Sequence, residues 1–163
     1  RSVGIRQQRN LGHVVFGGEP LLQDGVLHLV ERIINEGHKL LVETNGSMSI
    51  KDIDPRATII MDIKTPGSGM SEEMDLLNLD FLKPSDELKF VLVDRADYRW
   101  AKGLIQEYSL FERCKVLLSP AFGQLDPGAL SKWMIQDRLD ARLNVQLQKY
   151  VFCDDTVGKG KRS

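Results

Sequence analysis

Cysteine is scarce. Only Cys114 and Cys153 occur among 163 residues, too far apart for a CxxC or CxxxCxxC ligand cluster. The three histidines, His13, His28 and His38, show no zinc-type spacing. A reducing compartment predicts no disulfide, and Cys114, inside the apolar CKVLL run, reads as a small buried hydrophobe. Neither sign of charge dominates: 22 basic against 23 acidic side chains leave a net −1. No positive field therefore draws the chain to nucleic acid or an anionic membrane. No apolar run approaches the roughly 20 residues of a membrane span. The opening RSVGIRQQRNLGH lacks the apolar stretch of a secretory leader. A GxGxxG fingerprint, a Walker lysine loop, GxSxG and a Cys–His nucleophile signature are all missing. The length is short of the roughly 250 residues of a complete (βα)₈ barrel. The expectation is one soluble, cytoplasmic domain, with its core over 12–152 and a tail over 153–163 that has no core-forming pattern.

What the chain does contain is alternation. Gly12–Phe16, Lys39–Thr44, Thr58–Lys64, Glu87–Val93, Lys115–Leu118 and Val145–Phe152 read as six strands. Between them lie amphipathic stretches. Pro20 opens a helix carrying Leu22, Val26, Leu29, Val30, Ile33 and Ile34, and Gly37 stops it. Ser71 caps a short helix with Met74, Leu77 and Phe81 inward. Ala96–Phe111 is a third helix, and Asp126 caps a fourth bearing Leu130, Trp133, Met134 and Leu139. Strand–helix alternation predicts an α/β fold with a mostly parallel sheet and right-handed crossovers. A partial, open TIM-like βα barrel is the leading architecture; a doubly wound sheet is the alternative.

In parallel α/β folds, ligands bind beyond the carboxyl ends of the strands. Those ends hold Gly17-Gly18-Glu19, Glu43-Thr44-Asn45-Gly46, Asp62 and Lys64, Asp94 and Arg95, Ser119 with Gln124, and Gln148-Lys149-Tyr150. Paired glycines let a backbone approach a ligand closely. Glu19 suits an ammonium group, or equally a helix start. Lys64 suits a carboxylate or phosphate, or solvent, and Asp94 and Arg95 can pair with each other. The pattern describes a polar mouth for an amphoteric small molecule without naming a reaction.

The segments VVFGGEPLLQ, VETNG, MDIKTPGSG, LKFVLVDRADYRWA and QLQKY together resemble the 7-carboxy-7-deazaguanine synthase family of radical S-adenosylmethionine enzymes. The resemblance runs from about residue 13 to about residue 150. GGEP alone marks only the superfamily; the combination is more specific. The resemblance implies a partial barrel, a homodimer, S-adenosylmethionine, a [4Fe–4S] cluster, Mg²⁺ and an electron donor such as flavodoxin. It implies conversion of 6-carboxy-5,6,7,8-tetrahydropterin to 7-carboxy-7-deazaguanine with loss of ammonia. By position, Gly17, Gly18 and Glu19 fall in the segment that receives the methionyl amino group. Thr44, Asn45 and Lys64 fall at the cofactor's ribose and carboxylate, with Gln124 near the same cofactor. Gln148 and Lys149, with Gly17, fall near the pterin.

Three departures accompany the resemblance. The family's CxxxCxxC loop, with its magnesium-holding neighbour, is absent from these 163 residues. The threonine before GGEP is missing, so Phe16 meets Gly17 directly, and Gln148 stands where histidine is usual. Lacking the cluster cysteines, the chain as written is expected to be inactive alone. Two other readings remain open: a different radical S-adenosylmethionine activase, and a cluster-free S-adenosylmethionine-binding module.

Overall fold

A computed structural model describes residues 4–8, 12–69 and 74–151. In chain order its elements are β1 (Gly4–Gln8), β2 (Gly12–Phe16), α1 (Val26–Asn35), β3 (Leu40–Thr44), β4 (Thr58–Lys64), β5 (Glu87–Leu92), α2 (Arg95–Glu107), α3 (Leu110–Arg113), β6 (Lys115–Pro120), α4 (Pro127–Gln136), β7 (Arg142–Leu143) and α5 (Leu147–Val151). The seven strands form one sheet in sequential order. β1 is antiparallel to β2, and every later neighbour pair is parallel. An order that never reverses has no switch point. It therefore matches the open barrel type and not the doubly wound alternative.

Alternation along the strands sends one set of side chains toward the helices. Val15, Val42, Ile59, Met61, Ile63, Leu88, Phe90, Leu92 and Leu118 meet Val30 of α1, Ala101 and Ile105 of α2, Leu110 of α3, and Leu130 of α4 in one core. The opposite face carries Glu43, Asp62, Lys64, Glu87 and Lys89 among apolar neighbours such as Leu41 and Ile60. Val14 and Val15 are both buried, one on each face of β2.

Several boundaries differ from the sequence reading. Pro20 begins a single 3₁₀ turn (Pro20–Leu22), and α1 starts only at Val26, after Gly25 adopts φ 78°. Leu22 is consequently exposed. Ser71 lies outside the described residues; the helical turn nearby is Leu76–Phe81, capped by Asp75. Leu77 and Phe81 point outward there, and Asn78 and Leu79 are the buried pair. Asn78 is drawn inward because its amide donates to the carbonyls of Gly46 and Met48 while its oxygen accepts from Ile50 N. The expected helix over 96–111 divides into α2 and α3, separated by Ser109 at φ 50°.

The last strand is the largest correction. Arg142–Leu143, not Val145–Phe152, pairs with β6, and Leu147–Val151 is helical. Val145, Leu147 and Val151 fit a period of two, whereas Leu147, Tyr150 and Val151 fit an i, i+3, i+4 pattern, so periodicity could not separate the two. The ladder ends where Asn144 N donates to Leu118 O at 2.9 Å and Ser119 Oγ donates to Asn144 O at 2.8 Å. β1 is the element that the polar, basic N-terminal residues did not announce. Cys153 and the rest of the expected tail lie outside the described residues. No helix among the described residues is long and apolar enough to cross a membrane.

Cys114 is buried at the foot of β6, as its apolar neighbours predict. Burial, with a smaller contribution from Asp86, pushes its thiol up to about 11. In a Cys153→Ser variant at pH 8, a thiol-specific chromogenic reagent is expected to leave Cys114 unmodified in the native state. Full reaction should follow unfolding in urea, because the reactive form is the accessible thiolate.

Candidate active-site cleft at the carboxyl ends of β2 to β5

The turn after β2 is built around a carboxylate. Glu19 is 7% exposed and serves as the cap of the 3₁₀ turn, accepting from Leu21 N at 3.0 Å. Its other oxygen accepts from Thr44 Oγ1 at 2.8 Å and from Asn45 N at 2.8 Å. Glu19 thus joins the first crossover to the end of β3, and its helix-start role is realised together with a second, cross-strand one. Thr44 Oγ1 in turn accepts from Gly46 N at 3.1 Å, and Asn45 Oδ1 accepts from Ser47 N at 2.9 Å. Gly46 adopts φ 75°, and a Cβ there would lie 3.1 Å from Met61 Sδ, so the VETNG turn closes tightly over β4.

These turns border a cleft of about 220 Å³ lined by Gly17, Gly18, Glu43, Thr44, Asn45, Ile60, Asp62, Lys64 and Lys89. Its charges are of two kinds. Asp62 on β4 and Lys89 on β5 are register partners and form an ion pair of 2.7 Å. Glu43 and Lys64 have no hydrogen-bonding or ionic side-chain partner among the described residues. The cleft therefore offers one carboxylate and one ammonium to a ligand carrying both signs. A larger hollow of about 570 Å³ opens at the other end of the same face, among Lys39, Arg56, Glu87 and Lys115. It lies at the amino ends of the strands, away from where ligands bind in this architecture.

Beside Lys64 the chain turns on a second buried carboxylate. Asp97, 2% exposed, accepts from Thr65 Oγ1 at 2.7 Å, Gly67 N at 2.8 Å and Val93 N at 3.1 Å. The TPGSG and DRADY segments, distant in sequence, meet at this one group. Gly67 admits no side chain, since its Cβ would fall 2.6 Å from Asp97 Oδ2. Asp94 and Arg95 do not pair with each other. Asp94 caps α2 through Asp97 N at 2.9 Å, and the Arg95 guanidinium lies 4.7 Å from the Trp133 ring centre.

Of the expected site residues, Gly17, Gly18, Thr44, Asn45 and Lys64 line one cleft, and Glu19 anchors its wall. Gln124 is exposed in the turn after β6, and Gln148 and Lys149 are exposed on α5; none of the three lines the cleft. α5 is held near that turn by a Phe122–Tyr150 ring contact, centres 5.0 Å apart. Lys89 escaped sequence reasoning, and Glu43 and Asp62 stood out only as polar residues near strand ends. The available signal was parity: each is an even-numbered step from a neighbour on the polar face, but the face itself had to be known first.

The residues present do not fit an iron–sulfur cluster, which needs three thiolates. The chain has two cysteines, and Cys114 is buried with its thiol protonated at neutral pH. No group of three or more His, Cys, Asp or Glu side chains suited to a metal ion occurs among the described residues. The amphoteric cleft does fit an amino-acid moiety such as that of S-adenosylmethionine.

No family model matches the chain. A 7-carboxy-7-deazaguanine synthase from Chlorobaculum tepidum is 40% identical over 147 residues, covering 88% of this chain and 67% of that protein. Its counterpart in Koribacter versatilis is 36% identical over 158 residues, covering 88% of this chain and 70% of that protein. The same name belongs to a Thermoplasma acidophilum protein, 30% identical over 155 residues, with 93% and 73% covered.

Replacing Glu19 tests the joint. In Glu19→Gln an amide N–H₂ must face donors that a carboxylate oxygen now serves, at a cost of about 1–3 kcal/mol. The ligand-free variant is expected to unfold at a lower urea concentration with an unchanged m-value. Asp97→Asn is expected to do the same, since it too confronts backbone N–H groups with a donor.

Proposed function

Because the chain belongs to the 7-carboxy-7-deazaguanine synthase family, we propose that it carries the S-adenosylmethionine- and pterin-handling part of that lyase. The reaction takes 6-carboxy-5,6,7,8-tetrahydropterin to 7-carboxy-7-deazaguanine and ammonia, in the biosynthesis of queuosine and related 7-deazapurines. The observation that carries the proposal is the convergence of GGEP, ETNG and DIK on one cleft holding an unpaired carboxylate and an unpaired ammonium.

Gly17 and Gly18 leave backbone groups open to the methionyl ammonium, with Glu19 shaping the turn beneath them. Lys64 meets the methionyl carboxylate, and Thr44 and Asn45 border the ribose. When bound and reduced, S-adenosylmethionine supplies the hydrogen-abstracting group that acts at C6 of the pterin. The chain's own residues orient the two ligands and exclude water, which is the protein's share of cofactor chemistry. Gln124, Gln148 and Lys149 are assigned on resemblance: Gln124 near the cofactor, Gln148 and Lys149 near the pterin. Gln148 hydrogen-bonds but moves no proton near neutral pH. Since no residue set among the described residues fits the cluster or Mg²⁺, no step is assigned to either. A homodimer, an electron donor such as flavodoxin and a cytoplasmic setting belong to the same reading.

Calorimetry of the 163-residue chain with S-adenosylmethionine, followed by anaerobic iron–sulfide reconstitution and assay for ammonia and 7-carboxy-7-deazaguanine, tests this reading. Binding without turnover is expected. Absence of binding would overturn the assignment of the cleft, and turnover would overturn the inference that these residues alone cannot hold the cluster.

A further inference from the structure

The Asp62–Lys89 pair has no place in the assignments above, yet both residues line the cleft. Asp62 and Lys64 are two residues apart on the same face of β4, about 6.6 Å at the Cα atoms. That distance is within reach of a lysine ammonium. Asp62 is the acidic cleft residue nearest in register to Lys64, because Glu43 pairs with Ile60, one further step down the same face. An unpaired Asp62 would be the obvious resting partner for the Lys64 ammonium. It is not unpaired: Lys89 Nζ meets Asp62 Oδ1 at 2.7 Å, with the lysine side chain 20% and the aspartate side chain 38% exposed. Lys64 makes no ion pair with any described residue.

We propose that Lys89 is a positioning residue for ligand binding: by occupying Asp62, it keeps the Lys64 ammonium free to receive the ligand's carboxylate. The proposal rests on the reading of Lys64 given under the proposed function. Without Lys89, two acids, Asp62 and Glu43, would share the cleft with one cation. Lys64 would turn back onto Asp62, and a ligand carboxylate would have to displace an internal ion pair in a half-buried site. Interactions between charges so placed are only partly screened by water. The role is an electrostatic one played at a distance from the ligand, so it predicts a rescue that a ligand-contacting lysine would not show.

The experiment is a titration of S-adenosylmethionine into the full chain and into Lys89→Met and Asp62→Asn/Lys89→Met variants, with urea midpoints taken alongside. Lys89→Met is expected to weaken binding about tenfold, equivalent to about 1.4 kcal/mol. The double variant, which removes the competing acid as well, is expected to recover most of that loss, although it lacks two charged cleft residues. Unaltered affinity in Lys89→Met would overturn the proposal. So would a double variant as weak as the single one, which would mean that Lys89 touches the ligand or only supports the sheet. If the unsubstituted chain fails to bind, the reading of Lys64 falls and this role falls with it, an outcome separate from either variant result.

Discussion

Helices α1 to α4 all pack against the same face of the sheet, so the other face must carry side chains that tolerate water or bind something. Parallel sheets ordinarily bury both faces and read as continuous apolar runs. Here β4 and β5 alternate instead, with Ile59, Met61, Ile63, Leu88 and Phe90 inward and Asp62, Lys64, Glu87 and Lys89 on the opposite side. The one-sided core supplies the stability, and the exposed side is free to hold charge. Because the strands run parallel and in sequential order, their carboxyl ends gather in a row. The polar face and the crossover turns consequently meet at one cleft.

A sheet with a single apolar layer leaves its turns short of partners, and buried polar side chains provide them. Glu19 ties the first crossover to the end of β3, and Asn78 ties the 3₁₀ turn at 76–81 to the segment after β3. Asp86 accepts from Ile59 N at the foot of β4 and pairs with Lys83 at 2.6 Å. Asp97 gathers the turn after β4 and the end of β5. Each of these groups is under one-tenth exposed. A group buried to that degree costs free energy unless its bonds are made, so each fixes its turn closely. Two of them, Glu19 and Asp97, flank the cleft. The shape of the cleft and the stability of its loops therefore share residues, and Glu19 has a structural role, tying its turn to Thr44 and Asn45, whatever it does toward a ligand.

Much of this architecture was legible from the chain. The cores of β2, β3, β4, β5 and β6 follow from apolar periodicity, and β2 and β4 were placed to the residue. Asp126 capping α4 follows from a residue type that suits a single geometry, as does the burial of Cys114. The motifs GGEP, ETNG and DIK were placed at strand ends, and those ends converge. What escaped was decided by competition. Val145–Phe152 fits two periods, and the ladder with β6 was taken by Arg142–Leu143. The helix expected from Pro20 gave way at Gly25, whose left-handed backbone starts α1 afresh.

The sequence by itself determined the alternation of strands and helices, the side of each strand that is apolar, and the family to which the motifs point. These depend on residue order and on short-range geometry, so a linear reading reaches them. Only the tertiary structure decided which charges are paired and which are free. Asp62 meets Lys89 and not Lys64, Asp94 caps a helix and does not pair with Arg95, and Glu19 reaches Thr44 across the sheet. Pairing is settled by strand register and by which polar group is already satisfied. Both depend on neighbours distant along the chain and close in space.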